Sequence, residues 1–276
     1  NGEWIMVCLG IRNEENRGSN MGRETLILPV VWEKEPFWGK ETRYNWPVCN
    51  PLTGKIEKQY PYFLPINDST YEPTKKEYEF QENTLPLNWI HRRVPLENSY
   101  SLNTKTGYLS MYCLPDTIKE RSPYNFIGIK QKETHFETST TMQFNPTVNG
   151  EEAGLCLIQK DDNHILFDVR HEDNENVLRL VINTKNKNAQ LQKDLVMGKK
   201  YKNYIELKVI LKENKYHFYY RYQSNDLWEL FDTAASDLLL SEGYTGSHIG
   251  LYATSNDKKS INFASFDVFK LSYPNP

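Results

Sequence analysis

Apolar and polar residues alternate with a period of two along most of this chain, and helical periodicity is nearly missing. That pattern restricts the fold more than any other feature, because side chains two apart share one face of a strand. In "NYIELKVILKENKYHFYYRYQ", Ile205, Leu207, Val209 and Leu211 fall on one face, and the pattern resumes from Tyr216. Glu213-Asn214 between the two runs predicts a tight hairpin. In "THFETSTTMQF", Phe136, Thr138, Thr140, Met142 and Phe144 share a face. A second hairpin is expected around Asp161-Asp162-Asn163, joining "AGLCLIQK" to "HILFDVRH", and "SINFASFDVFKLSY" reads as the last strand. The best helix candidate, "TAASDLLLSEG" from Thr233 to Gly243, has room for one or two turns.

Regularly spaced strands with polar turns and no intervening helices predict an all-β protein, an antiparallel β-sandwich from about Leu85 to Tyr273. Alternation further predicts sheets with one wetter face. The first 65 residues differ. They hold two strands, Trp4–Ile11 and Glu24–Val31, followed by a Trp/Pro-rich stretch, and two strands alone lack a stable core. The chain opens with a strand already under way. The expectation is therefore that it starts inside a domain whose earlier part lies upstream. Residues 66–84 are polar and bracketed by prolines, so they read as a linker.

The charge balance, 33 basic against 36 acidic residues, offers no concentrated positive field for nucleic acid or an anionic membrane. No apolar run approaches the roughly 20 residues that cross a bilayer. Cys8, Cys49, Cys113 and Cys156 lack metal-knuckle or redox spacing, and the expectation is free, mostly buried thiols. Compartment is left open, cytoplasmic or secreted. Aromatic residues make up 13% of the chain, which suits strands and also suits stacking on pyranose rings.

No HExxH, GxSxG, P-loop or GxGxxG motif occurs. The six histidines are scattered. Asp161-Asp162 reads as turn chemistry. Glu24 follows Arg23 on a strand and must face the other way, which argues for a structural role. His217, Tyr219 and Arg221 share the face of a strand opposite Tyr216, Phe218, Tyr220 and Tyr222. One face is core; the other either packs or binds polysaccharide.

Several segments resemble one family. "GEWIMVCLGIR", "NMGRETLILPVVWEK" and "WPVCNPLTGKIE" are similar to the end of the five-bladed β-propeller of glycoside hydrolase family 43, the β-xylosidase/α-L-arabinofuranosidase group. "LPLNWIHRRVP", "GYLSMY", "GYTGSHIGLY" and "FASFDVFKLSY" resemble, in order, the concanavalin-like β-sandwich (jelly roll) fused behind that propeller. The resemblance implies residues 1–65 as the propeller remnant, 66–84 as linker and 85–276 as sandwich. It implies an inverting mechanism in which one carboxylate activates water and a second group protonates the leaving oxygen. Those carboxylates belong to earlier blades, so no catalytic residue is expected in this chain; they are expected upstream of Asn1. Arg23 matches the active-site arginine that reaches the sugar, a role suited to a fixed fork of donors. Tyr244 stands where relatives commonly carry a Phe that closes the pocket from a sandwich loop. Trp89 and Arg92 are expected to pack at the start of the sandwich. No organic cofactor is implied; a structural calcium at Asp267 is a further possibility. The implied partners are an oligosaccharide substrate, the upstream propeller of the same protein and a second copy in a homo-oligomer. The alternative is a non-catalytic, lectin-like module binding glycans through exposed Tyr and Trp.

Overall fold

The computed structural model describes residues 2–12, 19–34, 36–37, 40–41, 45–57, 60, 75–184, 190–241 and 244–274. The first part of the expected linker and Gly243 lie outside them. The chain divides into two compact units. One comprises Asn1–Arg12 and Arg23–Glu72, the other Asn13–Gly22 and Pro73–Pro276.

In the first unit, strands β1 (Trp4–Ile11) and β2 (Arg23–Glu33) pair antiparallel from Trp4↔Val30 to Ile11↔Arg23. Two short strands, β3 (Pro36–Phe37) and β4 (Lys40–Glu41), pair with each other. A third long-sheet member, β5 (Trp46–Cys49), lies along the other edge of β2, inside the stretch expected to be irregular. The register sorts the faces. Arg23, Thr25, Ile27 and Val31 of β2 point the same way as Ile11, Leu9 and Val7 of β1. That face is open: Val7 is 65% and Leu9 61% exposed, and Ile11, Ile27 and Val31 are exposed too. On the opposite face Leu28 is buried, Trp4 meets Trp32 edge-on at 5.4 Å, and Cys49 Sγ lies 3.4 Å from Met6 Sδ.

The second unit is the sandwich. Its strands begin with β6 (Lys75–Tyr78), β7 (Trp89–His91), β8 (Tyr100–Ser101), β9 (Leu109–Tyr112) and β10 (Asn125–Lys130). They continue with β11 (Phe136–Gln143), β12 (Glu152–Lys160), β13 (Asn163–Glu172), β14 (Glu175–Asn183) and β15 (Leu191–Val196). The last five are β16 (Tyr204–Lys212), β17 (Lys215–Arg221), β18 (Glu229–Ala235), β19 (His248–Thr254) and β20 (Phe263–Ser272). One sheet runs β15-β14-β13-β12-β19-β10-β7 and the other β18-β17-β16-β11-β20-β9-β8, with β6 also pairing β20. All the pairings are antiparallel, as the alternation demands.

The expected faces hold. Phe136, Thr138, Thr140 and Met142 of β11 and Ile205, Leu207, Val209 and Leu211 of β16 are buried toward the other sheet. There they meet Leu155 and Leu157 of β12, Phe167 of β13 and Leu180 of β14. The two expected hairpins form. Glu213 and Asn214 take φ of 50° and 59°, the left-handed pair of a type I′ turn. Asp173 and Asn174 make a similar turn between β13 and β14.

Three expectations need correction. First, the seven-stranded sheet has no wet face at its centre. Phe126, Cys156, Ile158, Leu166 and Tyr252 form a second core on its outer side, covered by Ile118 and Tyr124. The covering segment is tied down, for Ile118 N donates to Tyr252 Oη at 3.0 Å and Thr254 Oγ1 to Leu114 O at 2.8 Å. Second, the linker reading of residues 66–84 runs into the sandwich at β6, which pairs β20. Phe80 beyond it is buried against Trp89. Third, of the one or two turns expected over Thr233–Gly243 the described residues form a single 3₁₀ turn, Ser236–Leu239, and the start of the span belongs to β18, which runs to Ala235.

The outer core also holds charge. Arg179 Nε donates to Asp168 Oδ1 at 3.2 Å and Nη2 to Oδ2 at 3.3 Å, and Nη2 also meets Glu152. Arg170 Nη1 reaches the same Glu152 oxygen at 3.3 Å. Buried ions persist only when paired and hydrogen-bonded in this way. All four cysteines are free thiols; Cys113 and Cys156 are buried, Cys8 and Cys49 half-buried.

Candidate functional site

Arg23 opens β2, exposed at one end of the uncovered apolar face of the first unit. Glu24 points to the opposite face, as consecutive strand residues must. Its carboxylate accepts from Arg12 Nε at 3.0 Å and Nη2 at 2.6 Å, a structural ion pair. Sequence reasoning separated the two correctly.

Tyr244 belongs to the second unit, in the loop before β19, and is 71% exposed. What holds that loop was not anticipated. Residues Ser19–Gly22 lie within the sandwich unit, although the first 65 residues were expected to form the remnant of another domain. Ser19, Asn20 and Met21 are buried, Met21 completely. Ser241 N donates to Ser19 O at 3.1 Å, Ser247 N to Asn20 O at 2.6 Å, and Gly22 bridges Thr245. The backbones touch so closely that a Cβ at Gly246 would sit 2.1 Å from Met21 O. Gly22 itself takes φ +62°, where a side chain is strained. Asn20 Nδ2 donates to Tyr216 Oη at 2.9 Å. Burial pushes the Tyr216 phenol well above its ordinary pKa, so it stays neutral in this contact. The sequence signal was available in Gly22 and Gly246, yet nothing in a linear reading pairs residues so far apart.

Trp89 and Arg92 pack as expected. Trp89 is buried among Tyr78, Phe80 and Phe269. Arg92 and Arg93 both reach Asp161, whose Oδ1 also accepts from Tyr124 Oη at 3.0 Å. Asp161 is therefore more than a turn residue. His164 beneath it is fully buried, its Nδ1 2.8 Å from Asp161 O and its Nε2 without a hydrogen-bond partner among the described residues.

The face of β17 opposite the core is half-exposed. His217 and Tyr219 lie nearly parallel, centroids 6.5 Å apart. Trp228 next to them carries the Lys208 ammonium 4.2 Å and the Arg221 guanidinium 4.5 Å from its ring centre. Glu206 completes the cluster. Burial pushes its carboxyl up, but hydrogen bonds from Ser224, Tyr204 and Arg221 outweigh that and hold it below the usual range. Asp267 lies on β20. Among the described residues no three His, Cys, Asp or Glu side chains stand where they could share a metal ion.

A two-sheet antiparallel sandwich with jelly-roll-like connections defines a concanavalin-like domain. The chain belongs to the family of β-xylosidase C-terminal concanavalin A-like domains of glycoside hydrolase family 43, which matches residues 77–272. It is 30% identical to a xylosidase/arabinosidase of Butyrivibrio fibrisolvens, over 98% of this chain and 50% of that protein. It is 27% identical to a non-reducing end α-L-arabinofuranosidase of Bacteroides ovatus, over 97% of this chain and 48% of that one. The solved structure of the Bacteroides ovatus xyloglucan-locus protein GH43B superposes with a TM-score of 0.83 at 26% identity, covering 98% of this chain and 51% of that chain. The chain thus spans about half the length of the curated relatives it matches.

Proposed function

We propose that this chain is the C-terminal part of an inverting exo-glycoside hydrolase that removes xylose or arabinose from the ends of oligosaccharides. On this reading the first unit is the end of a five-bladed propeller. The acid and base lie upstream of Asn1, Arg23 binds the sugar in the glycone subsite, and Tyr244 closes the pocket. The reaction needs water and no organic cofactor.

The observation that carries the reading is the open face of β1 and β2. A soluble protein rarely leaves Val7, Leu9, Ile11, Ile27 and Val31 uncovered together, because contiguous apolar surface of that kind marks an interaction site. The relatives it matches are about twice as long, which on this reading supplies chain for that face, and Arg23 stands at its end. In the longer protein, Arg23→Ala is expected to lower kcat/KM on aryl xylosides or arabinosides about a hundredfold, as for a lost transition-state donor. Rates near those of the unsubstituted protein overturn the assignment.

The half-exposed rings of His217, Tyr219 and Trp228 favour a second reading, a module that binds glycans without cleaving them. Saturable retention of the chain on insoluble xylan, abolished by Tyr219→Ala, supports it. However, the cations over Trp228 already occupy part of the ring that a pyranose would need.

A further inference from the structure

Among the buried polar groups of the sandwich, Asn20 stands apart because its segment belongs by sequence to the β1–β2 hairpin. Its Nδ2 bonds Tyr216 Oη at 2.9 Å and Ser236 O at 3.5 Å, while its main-chain carbonyl takes Ser247 N at 2.6 Å. One residue thus grips three elements: β17, the 3₁₀ turn and the loop before β19. Met21 is completely buried, Ser19 O accepts from Ser241 N, and Gly22 bridges Thr245. Two further bonds hold residues 245–247: Gln159 Nε2 of β12 donates to Thr245 O at 3.0 Å, and Ser247 Oγ to Leu239 O of the 3₁₀ turn at 3.2 Å. Residues 19–22 form a buried rail against which Thr245, Gly246 and Ser247 are fixed, with exposed Tyr244 directly before them.

We propose that Asn20 and Met21 are positioning residues for Tyr244: the rail they form fixes residues 245–247 and with them the backbone from which Tyr244 presents its phenol to the sugar. This rests on the reading of Tyr244 given above. Physically, a surface segment opens more rarely the more of its backbone is bonded to buried chain. Here the Ser247 N bond to Asn20 O, the Gly22–Thr245 bridge and a Gly246–Met21 contact too close for any side chain supply those ties. Preorganisation of this kind lowers the entropic cost of ordering a side chain around a ligand. The rail ends at Gly22, one peptide bond from Arg23.

Hydrogen exchange on the full chain tests the positioning itself. Asn20→Ala should speed exchange at residues 244–247 about tenfold or more while the amides of β16 keep their protection. Met21→Leu, which preserves volume, should restore slow exchange where Met21→Ala does not. Unchanged loop exchange in Asn20→Ala, or acceleration of loop and β16 together, overturns the proposal. The link to sugar is read separately in the longer protein. There Asn20→Ala and Tyr244→Ala should each raise KM about tenfold with kcat nearly kept, and the double variant should be no worse than Tyr244→Ala alone. If Tyr244→Ala raises KM and Asn20→Ala does not, the rail does not position the tyrosine. If Tyr244→Ala leaves KM unchanged, the pocket-closing role falls and this proposal with it, whatever the exchange data show for the loop.

Discussion

The three-stranded sheet of the first unit and the sandwich of the second use the same chemistry of alternation but end in opposite states. β1 reads Trp-Ile-Met-Val-Cys-Leu-Gly-Ile, as apolar as any strand of the sandwich, yet Val7 and Leu9 stay largely exposed. β12 reads Glu-Ala-Gly-Leu-Cys-Leu-Ile-Gln-Lys and is buried on both faces. The difference lies in what the rest of the chain supplies. For β12 there is a second sheet on one side and the Ile118–Tyr124 cover on the other. For the outward face of β1 the described residues of its own unit offer no layer. An apolar strand states that burial is required, not what will do the burying.

That contrast can be broken at its strongest point in the sandwich core. Phe218, fully buried against Phe167 at 5.5 Å, should cost about 4 kcal/mol on replacement by alanine, through lost transfer energy and the cavity left behind. The urea midpoint of the full chain reads it. Next is the buried ion cluster: Arg179→Met leaves Asp168 and Glu152 without their shared guanidinium and should cost about 3 kcal/mol. Replacing the whole cluster with apolar residues should recover most of that loss, which distinguishes a desolvation penalty from a packing defect.

A smaller effect depends on pH. Burial lowers the pKa of His164 to about 4, with Lys119 pulling the same way and the bond to Asp161 O opposing. The unfolded chain binds the proton near the ordinary histidine value, so between pH 6.5 and pH 4 the unfolded state holds more protons. Stability contributed by neutral His164 is present above that window and lost as pH falls through it. From pH 7 to pH 5 the loss should be about 2 kcal/mol, and His164→Gln should remove that share of the slope. Denaturant midpoints at the two pH values measure it. The smallest effect belongs to the other region. Leu9→Ala on the open face should change the stability of this chain by less than about 0.5 kcal/mol, since little area leaves water there. A loss as large as that of Phe218→Ala would mean the face is already covered, and the contrast between the regions would fail.

The amino-acid order by itself determined the strand periodicity, the two hairpin turns and the inward rows of β11 and β16. Each depends on neighbours within a few residues: a left-handed turn at Glu213-Asn214, or a period of two that puts Ile205 and Leu207 on one side. It also separated Arg23 from Glu24, since adjacent strand residues cannot share a face. Only the tertiary structure decided which faces are dry. The cover over Cys156 and Tyr252 comes from a segment with no periodic signature. The β6 strand hides in a polar, proline-flanked stretch because its pairing with β20 is made through the backbone, which carries no sequence label. The rail of Ser19–Gly22 was invisible for the same reason: its grip on Ser241 and residues 245–247 is made by carbonyls, amides and two glycines more than two hundred residues apart, and contacts of that range leave no local trace.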